Sequence, residues 1–306
     1  MMFKKFAGIG LSFALTASIL SGCASSEASG GEYEPESLTV QFVPSQNADT
    51  LEAKAKPLEG LLKEQLGIPV TVSVSTNYNT IVEAMASKKV DIGFLPPTAY
   101  VQAHEKGAAN VILQAQRFGV DDETGAPNDK LVDFYKSMFI VKAESDIDSI
   151  KDLKGKKIAF QDVTSSAGYV WPAAALMDAD IDPLTDVEGI TVKGHDQAVI
   201  ALLNGDVDAA VIFQDARNVV KGDYPSVFED TKVLHFTEPI PNDTIAIRPD
   251  MSKEWMEKIQ DAFIAIGKDE KGHEIIKDIY SHEGYTLSED KMFEIVRDYA
   301  EKVKTE

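Results

Sequence analysis

The chain contains a single cysteine, Cys23, so neither an internal disulfide nor a cysteine-rich metal site can be built from it. Cations are scarce: 30 Lys and Arg stand against 50 Asp and Glu, and the resulting net charge of −20 repels nucleic acid and anionic lipid head groups from most of the surface. The five histidines, at 104, 195, 235, 273 and 282, are scattered, and there is no His-Glu-x-x-His run or paired carboxylate spacing that makes a metal site. A Gly-x4-Gly-Lys-Ser/Thr loop is also missing, which argues against nucleotide hydrolysis by this chain. No cofactor and no metal are expected. What the chain does have is 306 residues, 44% of them hydrophobic, more than one ordinary core needs, so two lobes are expected.

The position of the lone cysteine is informative. Lys4 and Lys5 precede an apolar run from Phe6 to Leu20, too short and too rich in small residues to span a bilayer, and the run leads through small residues to Cys23. This is the pattern of an export signal. Leu20-Ser21-Gly22-Cys23 resembles a bacterial lipobox, which implies cleavage after residue 22 and acylation of Cys23 as the first mature residue. Removing Lys4 and Lys5 with the signal takes the net charge from −20 to −22. Residues 23–37, rich in Ser, Gly and Glu, read as a flexible tether, and the folded part is expected to start at Leu38.

From there the chain alternates β-branched runs with longer amphipathic stretches, the pattern of an α/β protein with parallel sheet. Strands are expected at Leu38–Val43, Val70–Ser75, Val90–Leu95, Val111–Gln116, Lys157–Phe160, Val207–Phe213 and Ile245–Arg248. Helices are expected at Ile81–Lys88, Ala99–Lys106, Ala167–Met177 and Asp196–Asn204, with a helical tail from Met251 to Lys304 broken near Gly272 and Gly284. One internal echo supports two related lobes. Ala84-Met85 precedes the strand Val90-Asp91-Ile92-Gly93 at the same offset at which Ala201-Leu202 precedes Val207-Asp208-Ala209-Ala210. The lobes are expected to run from 38 to 139 and from 140 to 236, with 237–306 returning to the first.

The segment Lys156 to Pro172 carries the clearest chemistry. A strand leads into Thr164-Ser165-Ser166, which opens a helix whose first-turn N–H groups and dipole form a cradle for an anion. Pro172 then has to lie close to the helix start. One Ser/Thr cap explains one such residue, and three adjacent hydroxyls exceed that need. His195, ahead of the amphipathic run Asp196–Asn204, can donate to an oxyanion whether neutral or protonated.

Several stretches in fixed order resemble the phosphonate-binding family of periplasmic solute-binding lipoproteins, which serve ABC transporters for phosphonate, phosphite and phosphate. They are Tyr78 ahead of Ile81-Val82-Glu83-Ala84-Met85, Val90-Asp91-Ile92-Gly93, Tyr135-Lys136-Ser137, Ser165-Ser166-Ala167-Gly168-Tyr169, Gly194-His195-Asp196 and Ile240-Pro241-Asn242-Asp243. The resemblance implies an α/β, two-lobed type II binding-protein fold in which each lobe is a mixed, mainly parallel sheet flanked by helices. It further implies a monomer, exported and held by lipid on Cys23 at the outer face of the membrane, which captures a phosphorus oxyanion between the lobes. The partner would be a membrane permease with a separate ATPase subunit.

Tyr78 and Tyr135 would close over the ligand from the first lobe, and Ser165, Ser166 and His195 would donate from the second. Asp215 and Asp243 match positions where acids line the pocket, and Thr164 can replace the third family hydroxyl, which is Ala167 here. Acids beside an anion make sense as acceptors, from a protonated P–OH or from a ligand amine, and they penalise sulfate. Tyr100 is a possible further wall residue. Two other readings compete. A hydrolase triad of Ser166, His195 and an Asp is weak, because Thr164 stands where the first glycine of Gly-x-Ser-x-Gly belongs. A sensor or adhesin lipoprotein on the same two-lobed body is the other.

Overall fold

The computed structural model describes residues 32–121 and 127–304. The signal, Cys23 and most of the expected tether therefore lie outside the described residues. The strands, in chain order, are β1 Leu38–Phe42, β2 Val70–Val74, β3 Ile92–Leu95, β4 Asn110–Val120, β5 Pro127–Val132, β6 Phe134–Tyr135, β7 Ser137–Lys142, β8 Lys157–Phe160, β9 Glu188–Thr191, β10 Ala209–Phe213, β11 Thr231–Phe236, β12 Ile240–Pro241, β13 Thr244–Ile247 and β14 Gly284–Leu287.

They form two main sheets. The first has the order β14-β4-β13-β3-β1-β2, with β5 also paired to β4; the second has the order β11-β7-β10-β8-β9. β1 runs parallel to β2 and β3, and β8 runs parallel to β9 and β10. The remaining pairings in both sheets are antiparallel. The sheets are mixed as expected, but their parallel share is smaller than the alternating pattern suggested, because every pairing made by β4, β7, β11, β13 and β14 is antiparallel.

β3 and β10 are buried along nearly their whole length, as strands covered by helices on both faces must be. In the first sheet, Phe42 stacks on Phe94 at 4.1 Å between centroids, and Phe94 meets Phe263 of the helix Lys253–Lys268 edge-on. The tail breaks at Asp269 rather than at Gly272. Asp269 caps the helix Glu270–Tyr280 by accepting from Gly272 N at 2.9 Å. Gly272 serves close packing instead, since a Cβ there would lie 2.9 Å from Ile266 Cγ2.

The chain crosses between the sheets on a short antiparallel ribbon in which Tyr135 of β6 faces Ile240 of β12. Beside it Thr237 N donates to Ser137 O (2.9 Å) and Ser137 N donates to Thr237 Oγ1 (3.1 Å). The second sheet is entered at Ser137, ahead of the boundary drawn at Ile140. At the other end of the chain, Tyr33 lies docked on the body. Its N–H donates to Asp250 O, its carbonyl accepts from Ser252 N, and Arg248 stacks on its ring at 3.7 Å. No helix among the described residues is long and apolar enough to cross a membrane.

Candidate functional site

The hydroxyl cluster is shaped by a proline two residues into a helix. Residues Ser166–Val170 form one π turn before the α-helix Trp171–Asp178, and Trp171 N–H reaches back to Ser166 O. Pro172 has no N–H to give to the carbonyl of Gly168, which instead accepts from Gln161 N at the end of β8 (3.0 Å). That contact ties the turn to the sheet and leaves no space at Gly168, where a Cβ would lie 2.7 Å from Gln161 Cβ. Ser165 is the cap: its Oγ accepts from Gly168 N at 3.0 Å, so its own proton is free to be donated. The amides of Ser166 and Ala167 lie in the first turn, where no helical carbonyl reaches them.

His195 starts the helix His195–Asn204 immediately after Gly194, which has φ 88°. A side chain at Gly194 would be strained, and its Cβ would stand 3.0 Å from Gln46 Cα. This tight approach lets His195 N–H donate to Ser45 O (2.9 Å) and lets Asp196 Oδ2 accept from Asn47 N (3.2 Å), joining the two sheets' loops. Phe213 N–H donates to His195 Nδ1 at 3.2 Å, so the imidazole carries its proton on Nε2. Burial, and then the neighbouring Arg117 charge, pushes the His195 pKa down to about 3, and the ring is a neutral donor.

These groups surround a cavity of about 200 Å³ between the sheets. Its walls include Tyr78, Tyr135, Ser165, Ala167, His195, Asp215 and Asp243, together with Arg117 and Tyr280. Tyr78 opens the helix Tyr78–Ala86, whose cap is Asn77, and its hydroxyl lies against Ser165. Tyr135 belongs to the crossing ribbon rather than to the first sheet. Burial, foremost, holds both phenols well above their ordinary pKa, so both are proton donors.

Two of the expected hydroxyls are engaged elsewhere and do not line the cavity. Thr164 Oγ1 donates to Asp162 Oδ1 at 2.7 Å. Ser166 Oγ accepts from Thr98 N at 3.0 Å and lies 2.8 Å from Thr98 Oγ1, linking the cradle to the helix Pro97–Glu105 on the first sheet. Tyr100 is a core residue: it is fully buried and donates to Asp290 Oδ1 at 2.8 Å. Ser166 bonded to Thr98, and His195 Nδ1 bonded to a backbone amide rather than a carboxylate, do not make a hydrolytic triad.

Arg117 was not foreseen. It reaches from β4 of the first sheet to Asp215, just past β10 of the second, with Nη2 at 3.1 and 3.2 Å from the two carboxylate oxygens. The signal for it was a single cation inside an otherwise uncharged strand, Asn110–Val120. Asp243 Oδ2 stands 3.4 Å from the buried His282 Nε2, whose other nitrogen faces the Tyr285 hydroxyl at 3.3 Å. With Lys54, Lys277 and Asp278 at the rim, the cavity lining carries cations and carboxylates in equal number, in a chain of net charge −20. Among the described residues no cluster of three or more His, Cys, Asp or Glu is placed to hold a metal ion.

Two mixed α/β sheets joined by a double crossing, with a polar cavity between them, define the class of two-lobed, type II periplasmic solute-binding proteins. Residues 40–293 match the family described as the periplasmic substrate-binding protein of ABC phosphonate transporters, and the chain belongs to that family. It is 33% identical over 230 residues to the phosphate-import protein PhnD of Mycolicibacterium smegmatis, covering 72% of this chain and 69% of that one. It is 25% identical over 241 residues to the phosphonates-binding periplasmic protein of Escherichia coli, covering 78% of this chain and 68% of the relative. Among solved structures, PhnD1 of Prochlorococcus marinus in complex with methylphosphonate superposes with a TM-score of 0.74 at 19% identity, over 88% of this chain and 99% of that one. A phosphonate-transporter binding component from Pseudomonas aeruginosa gives 0.76 at 20% identity, over 86% and 85% of the two chains. The members of this family are solute-binding proteins of ABC transporters rather than enzymes.

Proposed function

We propose that this protein captures a small phosphorus oxyanion in the cavity between its two sheets and delivers it to an ABC permease. The observation that carries the reading is the convergence of uncharged donors from four parts of the chain on one cavity: the Ser165 hydroxyl, His195 Nε2–H and the phenols of Tyr78 and Tyr135. Such donors hold an anion without requiring a counter-ion, and they act most strongly where water is excluded. The first-turn amides beside Ser165 add the positive end of a helix. Asp243 then accepts from a protonated P–OH, which sulfate cannot offer near neutral pH.

Contacts to Ser165 and His195 on one side and Tyr78 on the other are complete only when the lobes are closed, so ligand favours closure about the β6–β12 ribbon. The closed body would then engage the permease as a monomer, tethered through lipid on Cys23. A thermal-shift series with phosphate, phosphite, methylphosphonate and sulfate tests the reading. At least one phosphorus anion raises Tm by several degrees while sulfate leaves it flat; no shift with any phosphorus anion, or an equal shift with sulfate, contradicts it.

A further inference from the structure

A second cavity of about 180 Å³ adjoins the first, and the two share Arg117, Asp215, Asn218, Lys277 and Ser281 in their walls. The ion pair is therefore part of the partition between two neighbouring chambers, the second of which is walled also by Phe118, Val120 and Glu283. The partition is made of two lobes: Arg117 comes from the first sheet and Asp215 from the second. Both partners are largely buried, with side-chain exposures of 8% and 18%, and the guanidinium lies 5.6 Å from the ring centres of both Tyr135 and Phe213.

This arrangement changes what the acids of the cleft can do. A ligand ammonium group needs an unpaired carboxylate, and both oxygens of Asp215 already accept from Arg117. Recruiting Asp215 to a ligand would strand a buried guanidinium. Asp243 stands beside His282 on the same side as the phenols, where it serves the oxyanion itself, and Asp278 is exposed at the rim.

Building on the phosphorus-oxyanion reading, we propose that the Arg117–Asp215 pair sets specificity. It withholds Asp215 from the ligand and, as part of the partition, narrows the passage from the first chamber into the second, so the site takes small phosphorus oxyanions whose substituent is absent or methyl-sized and carries no ammonium group. Calorimetric titration of the full exported chain with methylphosphonate, 2-aminoethylphosphonate and propylphosphonate tests this. Wild type prefers methylphosphonate over either of the others by tenfold or more. Arg117→Met frees Asp215 and shifts the aminoethyl-to-methyl affinity ratio upward by at least tenfold. Arg117→Ala/Asp215→Ala buries no charge, joins the two chambers and raises the propyl-to-methyl ratio by a similar factor, so the size arm stands even where the single variant does not fold. Equal wild-type affinity for methyl- and aminoethylphosphonate, or ratios unmoved by the variants, overturns the proposal while leaving the oxyanion reading intact. Failure of wild type to bind any of the three overturns the proposal; the reading itself falls only if phosphate and phosphite fail as well.

Discussion

The strands β3 and β10 are built alike at one end and differently at the other. Each is entered through Val-Asp, and in each the aspartate pairs with the neighbouring parallel strand: Asp91 N donates to Thr39 O and Asp91 Oδ2 accepts from Thr39 N, just as Asp208 N donates to Lys157 O and Asp208 Oδ2 accepts from Lys157 N. Both carboxylate contacts are 2.8 Å. At the far ends the two diverge. β3 passes through Leu95 and Pro96 into a helix whose Thr98 amide holds Ser166, while β10 passes through Phe213 to the charge of Asp215. Leu95, Pro96, Phe213 and Asp215 all border the cavity. The repeated frame aims two strand ends at one space, as ligand sites of open α/β sheets require. The amino ends of these strands are tied to their neighbours, and the carboxyl ends border the cavity.

The sharpest break in that comparison comes from the two aspartates. Asp91 is buried and also holds Arg248 at 3.1 Å, whereas Asp208 is exposed. Asp91→Ala should cost about 3 kcal/mol in urea unfolding, because it removes the charged contact to Arg248 Nη1 along with the Thr39 hydrogen bonds while Asp250 keeps the guanidinium paired, and Asp208→Ala about 1 kcal/mol for one backbone hydrogen bond. Equal costs would show that Arg248 adds nothing. Between these falls Gly168→Ala, expected to cost about 2 kcal/mol by driving a methyl into Gln161; the same unfolding curve checks it, and an unchanged midpoint would mean that the π turn relaxes freely.

A further effect concerns pH. The folded pKa of His195 is about 3 against 6.5 for the free side chain, and burial lowers that of His282 as well. The unfolded chain therefore binds protons that the folded one refuses. Their contribution to stability is complete above pH 6.5 and is lost as pH falls toward the folded value. Between pH 7 and 4.5 the stability of His195→Gln should fall less steeply than that of wild type, and parallel curves would refute the buried neutral imidazole.

The sequence shows the frame through local pattern. Val-Asp entering an apolar run marked both β3 and β10, and hydroxyls after a strand marked the cradle. Edge strands escaped: β9 is exposed along its whole length and offers no apolar alternation, and β14 starts at Gly284, which reads as a helix break. Of the cavity residues, Ser165 and His195 were identifiable by type and position, and Tyr78 and Tyr135 by the resemblance to the family. Side-chain direction was not: Thr164 turns back to Asp162, and Ser166 crosses to Thr98, because partners distant in sequence or a local turn claim them. Arg117 and Asp215 lie 98 positions apart, and no periodicity announces such a pair.

The central claim is that neutral donors around Ser165 seat the anion, and a crystal structure with methylphosphonate tests it most directly. The phosphonate oxygens should lie within hydrogen-bonding distance of Ser165 Oγ, His195 Nε2 and the Tyr78 and Tyr135 hydroxyls, with the Arg117–Asp215 pair intact. Phosphorus density at the Lys54 and Lys277 rim, with those four donors left untouched, would contradict it.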